Sequence, residues 1–278
     1  MASIEHQMTE IYVVVDDFLK AQPEVANWRR SPNAQPALTD AEVITIGLMQ
    51  GCLGVATLKQ TYLLIAMNHR SAFPKLCSYK QWIARLHRLS PIIGRLLGAA
   101  RAPSPWSLYV MDSKPIPVCL PIRHGRVRLL RDEGAYFGKT AKGWFFGFKL
   151  HALMTVDGQL MNAFLTPANW DDRQVALALG WAVHGGVVLA DLGYVGQEIA
   201  HLLADEADLL LITPADAGEH RALVSTVRER IETLFSQLWN RFIDRVFSRS
   251  WLGLWNTLML KMLNYALIHA GLLTSTQD

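Results

Sequence analysis

Long apolar runs are missing from this chain of 278 residues. No window approaches the 18 or so residues a membrane-spanning helix requires, and the most apolar stretches, 187–190 and 209–212, are strand-sized, so no membrane partner is expected. Cysteine is scarce: Cys52, Cys77 and Cys119 are odd in number, widely spaced and form no CxxC pair. That excludes a disulfide framework or a zinc ribbon and fits a reducing cytoplasm. The N-terminal residues are acidic and show neither a basic stretch nor a cleavage site, so no secretory signal is expected. A GxGxxG after a strand, a Walker loop and a GxSxG elbow are all absent, which removes the usual dinucleotide, nucleotide and serine-hydrolase signatures. The nine histidines form no HxxxH or HExxH pair, and His151 alone lies where a strand could carry it toward a site.

What is present is core-forming material: 51% of residues are hydrophobic and 18% charged, enough for one large domain or two modest ones. The 27 basic residues nearly cancel the 24 acidic ones, but they are not mixed. Residues 151–220 hold one basic and ten acidic side chains, whereas 111–150 hold eight basic and three acidic, and 221–261 seven basic and three acidic. An acidic segment is thus bracketed by basic ones, a pattern suited to a site that binds cations and phosphates together.

Two patterns divide the chain. Residues 1–104 read as a helical N-terminal domain for DNA binding or dimerisation, punctuated by prolines, with Thr39-Asp-Ala-Glu42 as a capping box. Lys75, Lys80, Arg85, Arg88 and Arg95 form a basic face there that suits either DNA phosphates or plain solvation. Residues 105–278 change period. A strand over 106–111 ends at Asp112, and an Arg-rich polar loop follows over 122–142. Strands at 144–156 and 159–165 then flank an Asp157-Gly158 turn. Helix 172–183, strand 187–190, helix 196–204, strand 208–213 and a long helix over 220–242 complete the series. Antiparallel strands followed by strand-helix units predict an α/β fold with an RNase H-like mixed sheet flanked by helices.

Asp112 and Asp191 each directly follow a strand-sized apolar run. One such aspartate is commonly a cap or turn residue. Two on neighbouring strands would converge at the sheet's carboxyl edge, where sites form, and hard oxygen donors suit Mg²⁺ or Mn²⁺. A third acid would come from the helix over 220–242. At about 100° per residue, Leu223, Val224, Val227, Ile231, Leu234, Phe235 and Leu238 make its apolar stripe. Glu229 lies opposite that stripe and Glu232 at its margin, so Glu232 is the candidate. Arg228, one turn earlier, suits a DNA phosphate or an ion pair with Glu232.

The runs Val110-Met-Asp-Ser-Lys-Pro-Ile116, Leu189-Ala-Asp-Leu-Gly-Tyr194 and Arg228-Glu-Arg-Ile-Glu232-Thr-Leu-Phe-Ser-Gln, with Leu165-Thr-Pro-Ala-Asn-Trp-Asp-Asp172 and Ile212-Thr-Pro-Ala215 between them, resemble the blocks of bacterial insertion-sequence DDE transposases. The resemblance spans roughly residues 38–270. It implies Asp112, Asp191 and Glu232 as catalytic and metal-binding residues, and two Mg²⁺ (or Mn²⁺) ions about 4 Å apart serving in-line attack on phosphorus. It further implies cleavage and strand transfer at the terminal inverted repeats of a mobile DNA element, insertion into target DNA, a homodimer or higher multimer on DNA, and a place on the bacterial nucleoid. The family's Tyr and Lys around this Glu are Ser225 and Trp239 here, so those two contacts are not carried over; Arg241 or Arg245 would replace them. Lys114, Arg123, Arg126, Arg128, Arg131, Lys139 and Lys142 are the expected backbone contacts, joined by Arg228, Arg241 and Arg245. Tyr136, Phe137 and Trp144 would stack on splayed bases. The competing readings are a stand-alone nuclease on the same fold and a domesticated DNA-binding protein without catalysis.

Overall fold

The computed structural model describes residues 3–23, 36–101, 104–126, 129–141, 143–215, 218, 232–233, 235–238 and 248–274. The chain divides into two compact units, one formed by the first hundred residues with the C-terminal helix from Leu252 onward, the other by residues 101–239 with 249–251.

The helical unit contains α1 (Ile4–Ala21), α2 (Asp40–Cys52), α3 (Leu58–Asn68), α4 (Tyr79–Arg88), α5 (Ser90–Ala99) and α8 (Trp251–His269). Its starts are set by sequence: Thr39 with Glu42, Thr57 with Gln60 and Ser78 with Gln81 form reciprocal capping boxes, each satisfying two otherwise orphaned donors. The C-terminal helix was expected among the sheet's helices, and its contacts from Leu252 onward lie instead with the helical unit. Thirteen of its residues are buried, Asn256, Lys261 and Asn264 among them, so the helix is enclosed on most sides. Asn264 Nδ2 donates to Leu48 O at 3.0 Å, and Gly51 lets α2 approach so closely that an added Cβ would lie 2.7 Å from the Asn264 amide. Gly51→Ala is therefore expected to destabilise this unit by about 1–3 kcal/mol, lowering its unfolding midpoint by roughly 2–10 °C in calorimetry. Arg85 is withdrawn from the expected basic face, because its guanidinium binds Asp40 at 2.8 Å and Leu38 O at 2.7 Å. Lys75, Lys80, Arg88 and Arg95 remain exposed.

The second unit is a six-stranded mixed sheet made of β1 (Leu108–Cys119), β2 (Tyr136–Thr140), β3 (Gly143–Thr155), β4 (Leu160–Pro167), β5 (Gly186–Ala190) and β6 (Leu209–Ile212). β1, β3 and β4 pair antiparallel, while β5 and β6 extend the sheet parallel to β1. This is the RNase H-like order, with β4–β3–β1–β5–β6 across the sheet and β2 on the same side of β3 as β4. Helices α6 (Arg173–Gly180) and α7 (Gln197–Ala207) cover one face through Val175, Leu179, Ile199 and Leu203, packed on Tyr109, Met111, Val188 and Leu211.

Two local expectations need correction. β1 does not end at Asp112 but continues to Cys119, and the stretch 122–142, expected to be loop, contains β2. Past Met111, β1 keeps only its β3 neighbour among the described strands. Pro115 and Pro117 lie in this one-sided part, where a missing N–H breaks no ladder.

Candidate active site

The parallel pairing of β1 and β5 runs to Met111 opposite Ala190, so Asp112 and Asp191 are the next residues in register on neighbouring strands. Asp191 is the residue directly after β5, and Asp112 the residue directly after the last β1 position paired with β5. Each carboxylate is held by its own backbone. Ser113 N–H donates to Asp112 Oδ1 at 2.7 Å, and Gly193 N–H donates to Asp191 Oδ1 at 2.8 Å, capping the single 3-10 turn Leu192–Tyr194. Asp191 is exposed and Asp112 half-buried. Burial, followed by the charges of Asp191 and Asp172, pushes Asp112 up to about 7 against the restraint of the Ser113 N–H bond and Lys114. A carboxyl that is buried beside like charges behaves in this way.

A third aspartate lies beside them on the α6 face. Asp172 Oδ2 accepts from Ser113 Oγ at 3.0 Å, and its Oδ1 is bonded by Lys149 and lies 3.8 Å from His151 Nδ1. His151 is fully buried, its Nε2 2.8 Å from Thr166 Oγ1, and burial lowers it to about 4, so it is neutral at physiological pH. Tyr194 is also fully buried; its hydroxyl has no hydrogen-bond partner among the described residues. Burial and the charges of Asp172, Asp112 and Asp191 raise it well above the ordinary range, keeping the phenol protonated.

Glu232 occupies an exposed helical position, with Phe235 and Leu238 buried one and two turns on. Among the described residues no group of three or more His, Cys, Asp or Glu side chains forms a preassembled metal cage. Asp112 and Asp191 nevertheless fit a divalent cation, since they are adjacent hard-oxygen donors whose mutual repulsion a cation would relieve.

Of the expected DNA contacts, Lys114 lies on β1 two residues past Asp112 and acts on its charge. Arg123, Arg126 and Arg131 are exposed on the connection from β1 to β2, with Arg131 Nη2 bonded to His124 O at 2.9 Å. Lys139 is exposed on β2, its Nζ 5.8 Å from the Trp144 ring centroid. Arg128, Lys142, Arg228, Arg241 and Arg245 lie outside the described residues, as do Ser225 and Trp239. Tyr136 and Trp144 are 55% and 63% exposed, whereas Phe137 is engaged edge-on with Phe146 and His124.

Residues 104–244 match the family model described as "Transposase DDE domain". No curated protein matches the chain. Among solved structures, one that matches is the cryo-EM structure of the piggyBac transposase synaptic complex with hairpin DNA, at 9% identity and a TM-score of 0.48, over 98% of this chain and 74% of that one. Among the described residues no helix is long and apolar enough to cross a membrane.

Proposed function

The chain belongs to the DDE transposase family, whose members cleave and join DNA and generally depend on divalent metal, and from that premise we propose that Asp112, Asp191 and Glu232 are its metal-binding catalytic acids. The observation that carries this reading is the register of β1 and β5, which sets Asp112 and Asp191 side by side. Two Mg²⁺ or Mn²⁺ ions bound there would supply Lewis-acid activation of the attacking oxygen and stabilisation of the leaving one. The backbone N–H groups of Ser113 and Gly193 orient the two aspartates. No histidine is needed as a base, and neutral, buried His151 is a supporting group rather than a proton carrier.

DNA is held by charge. Lys114, Arg123, Arg126, Arg131 and Lys139, with Arg128, Lys142, Arg228, Arg241 and Arg245, take the backbone phosphates, and exposed Tyr136 and Trp144 stack on bases near the cut end. The substrates are the terminal inverted repeats of a bacterial insertion sequence and its target DNA. The protein works as a homodimer or higher multimer on that DNA, in the cytoplasm and on the nucleoid.

With a pre-cleaved element end, target DNA and Mg²⁺, the expected result is joined product. Hydrolysis without joining would assign the protein to the nucleases, and DNA binding without cleavage would make it a domesticated binding protein.

A further inference from the structure

Asp172 stands at the position that would cap α6, yet its side chain makes no capping hydrogen bond. That work falls to its neighbour. Asp171 Oδ1 accepts from Arg173 N at 3.0 Å, and Asp171 N donates to Gln174 Oε1 at 3.2 Å. Aspartates at helix starts normally face their own helix, so Asp172 is held away from it by something else. Its carboxylate instead bonds two separate strands, through Lys149 on β3 and Ser113 on β1, and lies near the turn after Asp191. An added Cβ on Gly193 would sit 3.2 Å from Asp172 Oδ2 and 2.9 Å from Asp191 Oδ1, so glycine is what lets the two carboxylates share this corner. Ser113 is the link to Asp112, its hydroxyl tied to Asp172 and its N–H to Asp112 Oδ1.

We propose that Asp172, anchored by Lys149, is a positioning residue that fixes the cation-binding pair Asp112–Asp191 through Ser113 and the Gly193 turn. This rests on the cation site proposed above. With its charge balanced by Lys149, Asp172 supports from behind the strand ends that present the two ligands. Groups that orient metal ligands typically change metal affinity by about 10- to 100-fold when removed.

Mn²⁺ binding to the full-length protein, followed by the electron paramagnetic resonance signal of free Mn²⁺, tests this without catalysis. Asp172→Asn is expected to weaken Mn²⁺ binding roughly 10- to 100-fold. Ser113→Ala removes only the link to β1 and leaves the Lys149 pair in place; it is expected to weaken binding about 3- to 10-fold with little change in unfolding temperature. Asp171→Asn, which disturbs the same helix start, should bind as wild type. Wild-type Mn²⁺ affinity in either Asp172→Asn or Ser113→Ala overturns the proposal, as does an equal loss in Asp171→Asn. If Asp172→Asn fails to fold, Ser113→Ala decides alone. Asp112→Asn and Asp191→Asn are titrated in parallel. Unchanged affinity in those two would remove the cation site itself, whereas their loss of binding beside an unaffected Ser113→Ala would remove only the role of Asp172.

Discussion

Asp112→Asn and Asp191→Asn are each expected to slow cleavage of an element end by at least about a thousandfold, roughly 4 kcal/mol of transition-state stabilisation, while DNA affinity stays within about threefold of wild type. The amide keeps the shape and one oxygen but loses the charge that holds a cation, and the phosphates are met by other side chains. Glu232→Gln is expected to behave in the same way. Cleavage at the wild-type rate in any of the three, measured on a labelled element end with gel-shift affinity in parallel, removes that residue from the catalytic set. The Asp112 variant carries a second signature. Since burial and neighbouring acids disfavour its charge, Asp112→Asn should match or exceed wild type in thermal stability at pH 8 without metal. A purely structural aspartate would show the reverse.

Why these acids were legible in the sequence is plain: an apolar strand ending in a carboxylate is a local pattern, and two such patterns on parallel neighbours converge by topology alone. Asp191 obeys this, capping the turn that follows β5. Asp112 is singled out as a strand-end residue, which is only partly right. Its strand continues to Cys119, and what ends there is the pairing with β5. Pro115 and Pro117 hid that continuation, because prolines argue against a strand unless one edge of it is free, and edge status is a property of the sheet. β2 was hidden differently: Gly138 and Lys139 at its middle have little strand propensity, and it is pairing with β3 that holds them in a strand. The acidic tract over 151–220 suggests a cation site without singling out any of its ten acids. Asp171 and Asp172 read alike as helix-start residues, and only the convergence of Ser113 and Lys149 from two other strands separates them. Basic residues showed the same ambiguity. Arg85 had the spacing of a surface cation but is consumed by Asp40, whereas Lys139 remains at the surface beside Trp144.

Wild type and the Asp112→Asn variant should diverge in stability as pH rises from 5 to 8 in the absence of metal. The folded Asp112 titrates at about 7 against 3.8 as the ordinary value, so the folded state retains a proton that the unfolded chain has already released. A raised carboxyl pKa contributes stability in full below pH 3.8; that contribution is progressively lost as pH climbs toward 7 and is gone above it. Other groups act in this range too. His151, lowered to about 4 by burial, favours the folded state increasingly as pH rises to about 6.5. Taking the difference between wild type and Asp112→Asn cancels that contribution. The difference should therefore already be partly developed at pH 5, grow in favour of the variant through pH 7, and level off by pH 8. Divalent metal reverses the wild-type trend, because a cation takes the place of the proton. Mg²⁺ should raise the wild-type unfolding temperature at pH 8 and hardly at all at pH 5, and at limiting Mg²⁺ the cleavage rate should fall about tenfold for each pH unit below 7. A stability difference that stays flat from pH 5 to 8, or an Mg²⁺ effect that does not depend on pH, would show that Asp112 is not a carboxylate held above its ordinary range until a cation relieves it.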